Sequence, residues 1–273
     1  GRISNYLYHS GQYLPDWHNY ENVSDYYVSV KETGGGREIV PFELTWITLF
    51  LGIPKRVVGF YKKTIEIEGA SNIDDTYNLL MDYENNIFNL SVDVVSRHAT
   101  RRLVINGDKK QLYWNWDENV IKIFDPEKAE WESLSYETAA AENGYNKNIT
   151  EQMYIDEIGS FVSAINKESI FPNNLEHDKS VLNLLYAVEK SDLNNKIISA
   201  VPRIRLAVSG GESVKSITIY NDRILKLTKQ IVSKLTYKCF NTHSSTSSSA
   251  RQCWSRLVLS DPFLTALLRY CSN

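Results

Sequence analysis

Residues 76–95 constrain the fold more than any other part of the sequence. Apolar side chains alternate with polar ones in two runs, and the turn-forming triplet 84–86, Glu-Asn-Asn, separates the runs. Because successive side chains of a strand point to opposite faces, this pattern predicts an antiparallel hairpin with one buried and one solvated face. The apolar positions are Tyr77, Leu79, Met81 and Tyr83, then Phe88, Leu90, Val92 and Val94.

Four more strand-like runs follow at regular spacing, with turn-forming pairs such as Gly107-Asp108 and Asp125-Pro126 between them. No helical pattern intervenes. Parallel strands need long crossover connections, usually helices, so this spacing predicts an antiparallel meander. The four runs are residues 102–106, 112–116, 120–124 and 130–134.

Three segments have apolar residues at helical spacing. The first, residues 37–51, stops at Gly52, and its apolar residues, Phe42 among them, cover most of the circumference. We therefore expect a well-buried helix with Pro41 in its first turn. Residues 150–166 and a segment that Asp178 can cap supply the other two. The predicted fold class is α+β, a mainly antiparallel open sheet with helices packed on one face.

Charge divides the chain at about residue 198. Residues 1–198 carry 19 Lys+Arg against 30 Asp+Glu, whereas residues 199–273 carry 11 against 3. We expect one domain over 1–198, followed by a basic tail of unknown nature that contains cysteine and serine. The acidic first part disfavours nucleic acid as a partner. All three cysteines lie in the tail: Cys239, Cys253 and Cys271. The first part therefore has no disulfide framework and no cysteine metal site, and we expect no metal.

Two missing patterns limit the function. No apolar run reaches the roughly 18 to 20 residues that span a bilayer, and no signal-peptide pattern opens the chain, which predicts a cytoplasmic protein without a membrane partner. Neither G-x-G-x-x-G nor G-x-x-x-x-G-K-[ST] occurs. We therefore expect no dinucleotide to bind tightly to this chain alone.

The triple glycine Gly34–Gly36 precedes the first helix and allows two interpretations. A helix start offers free N–H groups that can bind an anion, whereas glycine also permits a tight turn with positive φ. Arg37, Glu38 and Glu43 lie just inside the helix. Glu43 has large apolar neighbours, and a carboxyl group buried among them could act as an acid or a base. It could equally be a salt-bridged surface residue.

A long loop within residues 11–31, between two predicted strands, groups aromatic, acidic and imidazole side chains. Aromatic rings can stack on the C–H faces of a sugar while polar groups orient its hydroxyls, and histidine can transfer protons near neutral pH. A loop that Trp17 merely pins, with His18 exposed, fits equally well. The other histidines considered, His9, His98 and His177, are isolated and expected to be structural or solvent-facing. The loop's candidate residues are Tyr13, Asp16, Trp17, His18, Tyr20 and Glu21.

The sequence resembles the C-terminal, substrate-side domain of the glucose-fructose oxidoreductase and inositol dehydrogenase family (Gfo/Idh/MocA). The resemblance covers residues 1 to about 195 and is carried by GQYLPDWHNYE at 11–21, by Tyr27–Lys31 and by ETGGGREIVPFELTWITLFLG at 32–52. In that family an N-terminal Rossmann domain binds NAD or NADP, and the lysine of an E-K-P motif contributes to the active site. Neither is present here. The resemblance implies a family member without its dinucleotide-binding half.

The resemblance also implies roles for the first helix. The helix-bearing face of the sheet would meet the nicotinamide near Gly34–Gly36, and the helix would line the sugar pocket. The Asp and His of the family's GGGxxxDxxxH pattern fall on Val40 and Leu44 here. A branch with a His-Glu pair would match Phe42 and Glu43 and keep only the Glu.

The resemblance therefore leaves Glu43 as the candidate acid or base, with His18 or Lys31 as alternatives. The expected substrate-binding residues are Tyr13, Asp16, Trp17, Tyr27, Arg37 and Glu38.

Two functions follow from this reasoning. The first is the substrate-binding half of an NAD(P)-dependent oxidoreductase that acts on a sugar or nucleotide-sugar by hydride transfer and is inactive alone. The second is a non-enzymatic carbohydrate-binding or oligomerisation module. Family members commonly oligomerise through the open sheet face, where aromatic residues such as Tyr113, Trp114 and Trp116 would suit either an interface or ligand stacking.

Overall fold

The computed structural model describes residues 1–18, 20–136, 152–171 and 174–200. All but the first two residues of the expected tail at 199–273 lie outside these ranges, as does the expected helix start at 150. None of the helices within the described ranges is long and apolar enough to cross a membrane.

The described residues form an open sheet of nine strands. The strands are β1 Ile3–Tyr13, β2 Arg56–Lys62, β3 Thr76–Asp82, β4 Ile87–Asp93, β5 Val95–Gly107, β6 Gln111–Asn115, β7 Val120–Asp125, β8 Glu130–Ser135 and β9 Ile198–Ser199. Their order across the sheet is β8-β7-β6-β5-β1-β4-β3-β2-β9. Every neighbouring pair is antiparallel except β1 and β4, which run parallel. The sheet is therefore mainly antiparallel and open, as the sequence predicted.

The hairpin of β3 and β4 confirms the antiparallel hairpin predicted for residues 76–95. Leu79 lies opposite Leu90, and the apolar side chains of both strands on this face are almost fully buried. The meander continues through β5, β6, β7 and β8. β5 begins at Val95, seven residues before the predicted start at residue 102. Residues 95–101 show no apolar alternation because they are mostly polar, so only pairing with β1 reveals their strand conformation.

Helix α1, Gly36–Leu51, begins at the triple glycine and ends at Gly52 as predicted. Two details of the prediction are wrong. Pro41 lies at the sixth helical position, in the second turn, and Phe42 is 59% exposed. Only one face of α1 packs against β3 and β4, so the helix is buried on one side rather than all round. That side holds Val40, Leu44 and Ile47, each 0% exposed.

Helix α3, Leu175–Asn194, packs on the same face of the sheet as α1, chiefly against β2. Its first cap is Asn174, whose side chain accepts the N–H of His177, so the helix starts three residues before the predicted cap at Asp178. The four predicted apolar positions are buried in the main core: Val181, Leu184, Leu185 and Val188. Helix α2, Gln152–Ile165, keeps Ile155, Ile158 and Ile165 more than half exposed.

A second, smaller core holds the segment between β1 and α1. Leu14, Val28, Ile73 and Val94 are all 1% exposed or less and pack together. The segment forms short 3₁₀ turns at Leu14–Asp16, Val23–Asp25 and Tyr27–Ser29, so the second strand predicted within residues 11–31 is wrong. These apolar anchors fix the loop although it lacks regular strand pairing.

The triple glycine generates a stability prediction. A Cβ atom on Gly34 would lie 2.0 Å from the carbonyl oxygen of Val28, so Gly34→Ala must displace backbone and should cost about 1 to 3 kcal/mol of unfolding free energy. Gly159→Ala in α2 is the matched control, because its Cβ meets nothing within 4 Å and alanine favours the helix. Thermal unfolding should show a lower Tm for Gly34→Ala only. Equal Tm values would contradict the close packing.

Candidate functional site

The loop after β1 stacks four aromatic side chains, here called the ring cluster: His18, Tyr20, Tyr26 and Tyr27. The imidazole of His18 stacks on the rings of both Tyr20 and Tyr26, with centroid distances of 5.3 Å and 4.8 Å. Tyr26 meets Tyr27 edge to face at 6.0 Å. Tyr20 is 78% exposed, so the cluster opens to solvent on one side.

Two carboxylates border the ring cluster. The hydroxyl of Tyr27 donates a 2.5 Å hydrogen bond to Glu38 Oε1, in the first turn of α1, and this bond raises the pKa of Tyr27 to about 12. Burial raises the pKa of Glu38 above its ordinary value, although the bond from Tyr27 acts in the opposite direction. On the other side, Glu21 Oε2 lies 3.7 Å from His18 Nδ1. The loop and the helix start therefore build one site between them.

Several buried polar atoms of this site have no hydrogen-bond partner among the described residues. The 3.7 Å between His18 Nδ1 and Glu21 Oε2 is too long for a hydrogen bond. Buried polar atoms are almost always paired, so each unpaired one has hydrogen-bonding capacity that a ligand group or a water would satisfy if it could reach the atom. The four atoms are Trp17 Nε1, His18 Nδ1, Tyr26 OH and Glu38 Oε2.

The triple glycine lies against the same loop. The N–H of Gly34 donates to the carbonyl of Val30 at 2.7 Å, that of Gly35 to Val28 at 3.1 Å, and that of Gly36 to Asp74 at 2.9 Å. Gly35 has a φ of +65°. The geometry thus matches the tight-turn interpretation. Binding of a cofactor at Gly34–Gly36 stays a prediction, and these N–H groups are already engaged.

Glu43 lies in a separate, buried position. Its side chain faces the sheet, it is 1% exposed, and the surface-residue interpretation is therefore wrong. Four donor groups surround its two oxygens, three at hydrogen-bond distance and the fourth in an ion pair. Because Glu43 is 1% exposed, a substrate proton could reach it only if one of these groups moved. They are Tyr8 OH at 2.9 Å, Ser10 Oγ at 2.8 Å, Trp46 Nε1 at 2.7 Å and Arg101 Nε at 3.6 Å.

Lys31 and Arg37 each have an acidic partner. Lys31 Nζ lies 3.8 Å from Asp74, whose pKa is raised above its ordinary value by burial although Lys31 acts to lower it. Arg37 binds both oxygens of Glu189 on α3, at 2.6 Å and 3.3 Å, and also donates to the carbonyl of Glu32. Arg37 thus fastens α1 to α3.

The remaining candidates lie where the loop begins. The guanidinium of Arg97 lies 3.7 Å from the ring centroid of Tyr13. Asp16 is exposed at the end of the first 3₁₀ turn, and Trp17 packs on the smaller core. The structure therefore brings together His18, Tyr27 and Glu38, with Trp17 beside them in the chain. It does not bring Glu43 or Lys31 into that group.

Sequence reasoning missed two features. Tyr26 was not a candidate, although the adjacent tyrosines at 26 and 27 could have been considered with the loop's other aromatic residues. His9 was considered structural, and it does bind Asp93 Oδ2 at 2.7 Å on the sheet face away from the helices. No sequence signal joins these two residues, which are 84 positions apart. No three His, Cys, Asp or Glu side chains within the described ranges could hold a metal ion.

The described chain has a fold that occurs in NAD(P)-dependent oxidoreductases. Solved structures that it matches include levoglucosan dehydrogenase in complex with NADH, at a TM-score of 0.57 and 14% identity, and the same enzyme with NADH and levoglucosan, at 0.57 and 13%. An oxidoreductase domain protein from Kribbella flavida matches at 0.56 and 16%. The matches cover 74 to 75% of this chain and 59 to 60% of those chains.

The chain thus spans about three fifths of the length of these structures. At such low identity the likeness shows the fold alone. No family model and no curated protein matches the sequence.

The donors around Glu43 generate a second stability prediction. Glu43→Gln replaces one acceptor oxygen with an amide that faces donors, so we expect a loss of about 2 kcal/mol or more of unfolding free energy. Urea denaturation measures it, and Glu68→Gln at an exposed position is the control. A stability equal to that of the control would show that Glu43 is not the acceptor described.

The His9–Asp93 contact generates a pH prediction. Burial acts to raise the pKa of Asp93, but bonds from His9, Ser96 and Val95 hold it below the ordinary value of 3.8. A depressed folded-state pKa stabilises the fold above pH 3.8, and this stabilisation is lost as pH falls through the lowered value. Asp93→Asn should therefore be less stable than the wild type at pH 6, with the difference shrinking towards pH 3.

Denaturant titrations at several pH values would measure the difference. The control is Asp117→Asn, at a more exposed carboxylate 3.9 Å from His98, which should show a small difference at every pH. A constant difference for Asp93→Asn would count against the pairing.

Proposed function

We propose that this chain is the substrate-binding part of an NAD(P)-dependent oxidoreductase that acts on a sugar or nucleotide-sugar in the cytoplasm, and that it is inactive without a dinucleotide-binding part. The observation that carries the proposal is the ring cluster beside Glu38, with unpartnered polar atoms at the corner where α1 begins. The fold shared with sugar-binding and NADH-binding structures supports it.

The ring cluster suits a polyhydroxylated ligand. The exposed faces of Tyr20 and Tyr27 offer stacking surfaces for the C–H groups of a sugar ring. Glu38 Oε2 can accept a hydrogen bond from a hydroxyl, and a neutral imidazole such as that of His18 has one nitrogen that can do the same. His18 is the base in this proposal, because Glu43 is buried and already accepts three hydrogen bonds, and Lys31 is paired with Asp74.

The described residues do not fit a dinucleotide. The N–H groups of Gly34–Gly36 are engaged by backbone carbonyls, and the sequence has no phosphate-binding glycine motif. Hydride chemistry in the proposed enzyme therefore depends on residues outside the described ranges or on another chain. The part described here would bind and orient the sugar.

A second candidate function is a non-enzymatic carbohydrate-binding or oligomerisation module. On the sheet face away from α1 and α3, here called the open face, Phe60, Leu80 and Ile87 are each about half exposed. A shallow depression of about 510 Å³ lies on the same face. Its lining residues are Val104, Gln111, Tyr113, Lys122, Trp131 and Ser133.

The three aromatic residues predicted to suit either an interface or ligand stacking do not all lie on the open face. Tyr113 lines the depression on the open face. Trp114 is 4% exposed and its Nε1 donates to the hydroxyl of Tyr136, whereas Nε1 of Trp116 donates to the carbonyl of Ala99. Only Tyr113 of the three is therefore available to a partner on the open face. Light scattering over a range of concentrations tests the oligomerisation module, which requires a second copy to associate through the open face.

Sugar binding tests the principal proposal. We expect the full chain to bind levoglucosan or simple hexoses in titration calorimetry and to show no NADH turnover with them. His18→Ala should weaken binding about tenfold or more, because it removes both the stacking ring and an acceptor. The matched control is His98→Ala, at a histidine whose side chain is 80% exposed. The proposal would be contradicted if His18→Ala bound these sugars as tightly as the wild type, or if the wild type bound none of them.

A further inference from the structure

Given the proposed function, we propose that the site selects a sugar without negative charge, either uncharged or carrying an amino group, and discriminates against sugars with a phosphate or carboxylate, nucleotide-sugars included. The observation is that the ring cluster is bordered by carboxylates, while Lys31, Arg37 and the N–H groups of Gly34–Gly36 already have partners.

Carboxylates dominate the loop and the helix start. Residues 12–38 contain five acidic residues and two Lys or Arg. Glu21 approaches His18 from one side of the ring cluster, and Glu38 binds Tyr27 on the other. Burial, and then the charges of Glu21 and Glu38, raise the pKa of Tyr26 above its ordinary value, which is the effect expected of a negative potential at that ring.

The two cations of this segment are engaged. Arg37 is held by both oxygens of Glu189 and by the carbonyl of Glu32, an arrangement in which little donor capacity remains for a ligand. Lys31 is paired with Asp74. A phosphate would have to separate one of these pairs and leave a carboxylate without its partner.

Backbone donors do not replace the missing cations. Protein sites for phosphate commonly use free N–H groups of a glycine-rich turn at a helix start. Here each N–H of Gly34–Gly36 donates to a backbone carbonyl. The feature that looks most like an anion site in the sequence is therefore closed by its own hydrogen bonds.

The unpartnered atoms favour a ligand that donates hydrogen bonds. Glu38 Oε2 is an acceptor, and the carboxylate of Glu21 beside His18 is another. Hydroxyl and ammonium groups donate, whereas ionised phosphate and carboxylate groups only accept. An anionic group at this position would face carboxylate oxygens at short range and be repelled.

Arg97 is the one further cation that the described contacts place beside the loop. It stacks on Tyr13, at the end of β1 where the loop begins, rather than on the ring cluster. Its contribution to anion binding is testable separately with Arg97→Gln.

The experiment compares four ligands with one ring and different charge: glucose, glucosamine, glucuronate and glucose 6-phosphate. Titration calorimetry with the full chain at pH 7 should show glucosamine binding at least as tightly as glucose. Both should bind about tenfold or more tightly than the two anions at low salt. The gap should narrow at 0.5 M salt, because screening weakens charge repulsion.

Glu21→Gln and Glu38→Gln should each narrow the gap between glucose and the anions, and Glu130→Gln on distant β8 should leave it unchanged. Tighter binding of either anion than of glucose would overturn the inference, although the proposed sugar binding would still stand. If Arg97→Gln then abolished the anion binding, Arg97 would be the cation responsible for it. Failure of all four ligands to bind would instead contradict the proposed function.

Discussion

The buried carboxylate of Glu43 determines where the first helix lies, and the site depends on that placement. Tyr8 and Ser10 on β1 donate to it from the sheet, and Trp46 donates from the next turn of α1. A buried charge is tolerated only when it is fully hydrogen-bonded, so these bonds favour one rotation of α1 about its axis. With Glu43 turned to the sheet, Glu38, five residues earlier, points to the loop. The same contact therefore secures the core and presents the carboxylate that Tyr27 binds.

The close approach at the triple glycine then joins the helix to the loop. No other residue would fit at Gly34 without moving the backbone of Val28, and that backbone follows directly on Tyr26 and Tyr27. The ring cluster is thus positioned by two constraints that are remote from any ligand: a buried charge on one side and a backbone contact on the other. Such supporting contacts keep a site rigid although its residues lie on a loop.

The sequence predicted the parts of this fold that depend on local periodicity. The β3–β4 hairpin, the meander and the limits of α1 follow from alternation, turn residues and the glycines at both helix ends. The missed parts depend on partners distant in the chain. The strand conformation of residues 95–101 exists only through β1, the burial of Glu43 depends on Tyr8 and Ser10, and the exposure of Phe42 depends on which helix face meets the sheet. The composition of the loop singled out His18, and the family resemblance added Tyr27 and Glu38, but their proximity required the turns at Val23–Asp25 and Tyr27–Ser29.

The division of hydrogen-bond capacity near the start of α1 supports the proposal of a sugar site that does not also hold the cofactor. Donors near the helix start are used within the protein: the glycine N–H groups bind carbonyls, and Arg37 binds Glu189. Acceptors at the ring cluster remain unsatisfied, Glu38 Oε2 among them. A hydroxylated ligand complements that imbalance, whereas a dinucleotide needs the donors that are already used. In the proposed enzyme the two binding tasks would therefore fall to different parts, which is the arrangement expected when substrate and cofactor are held separately.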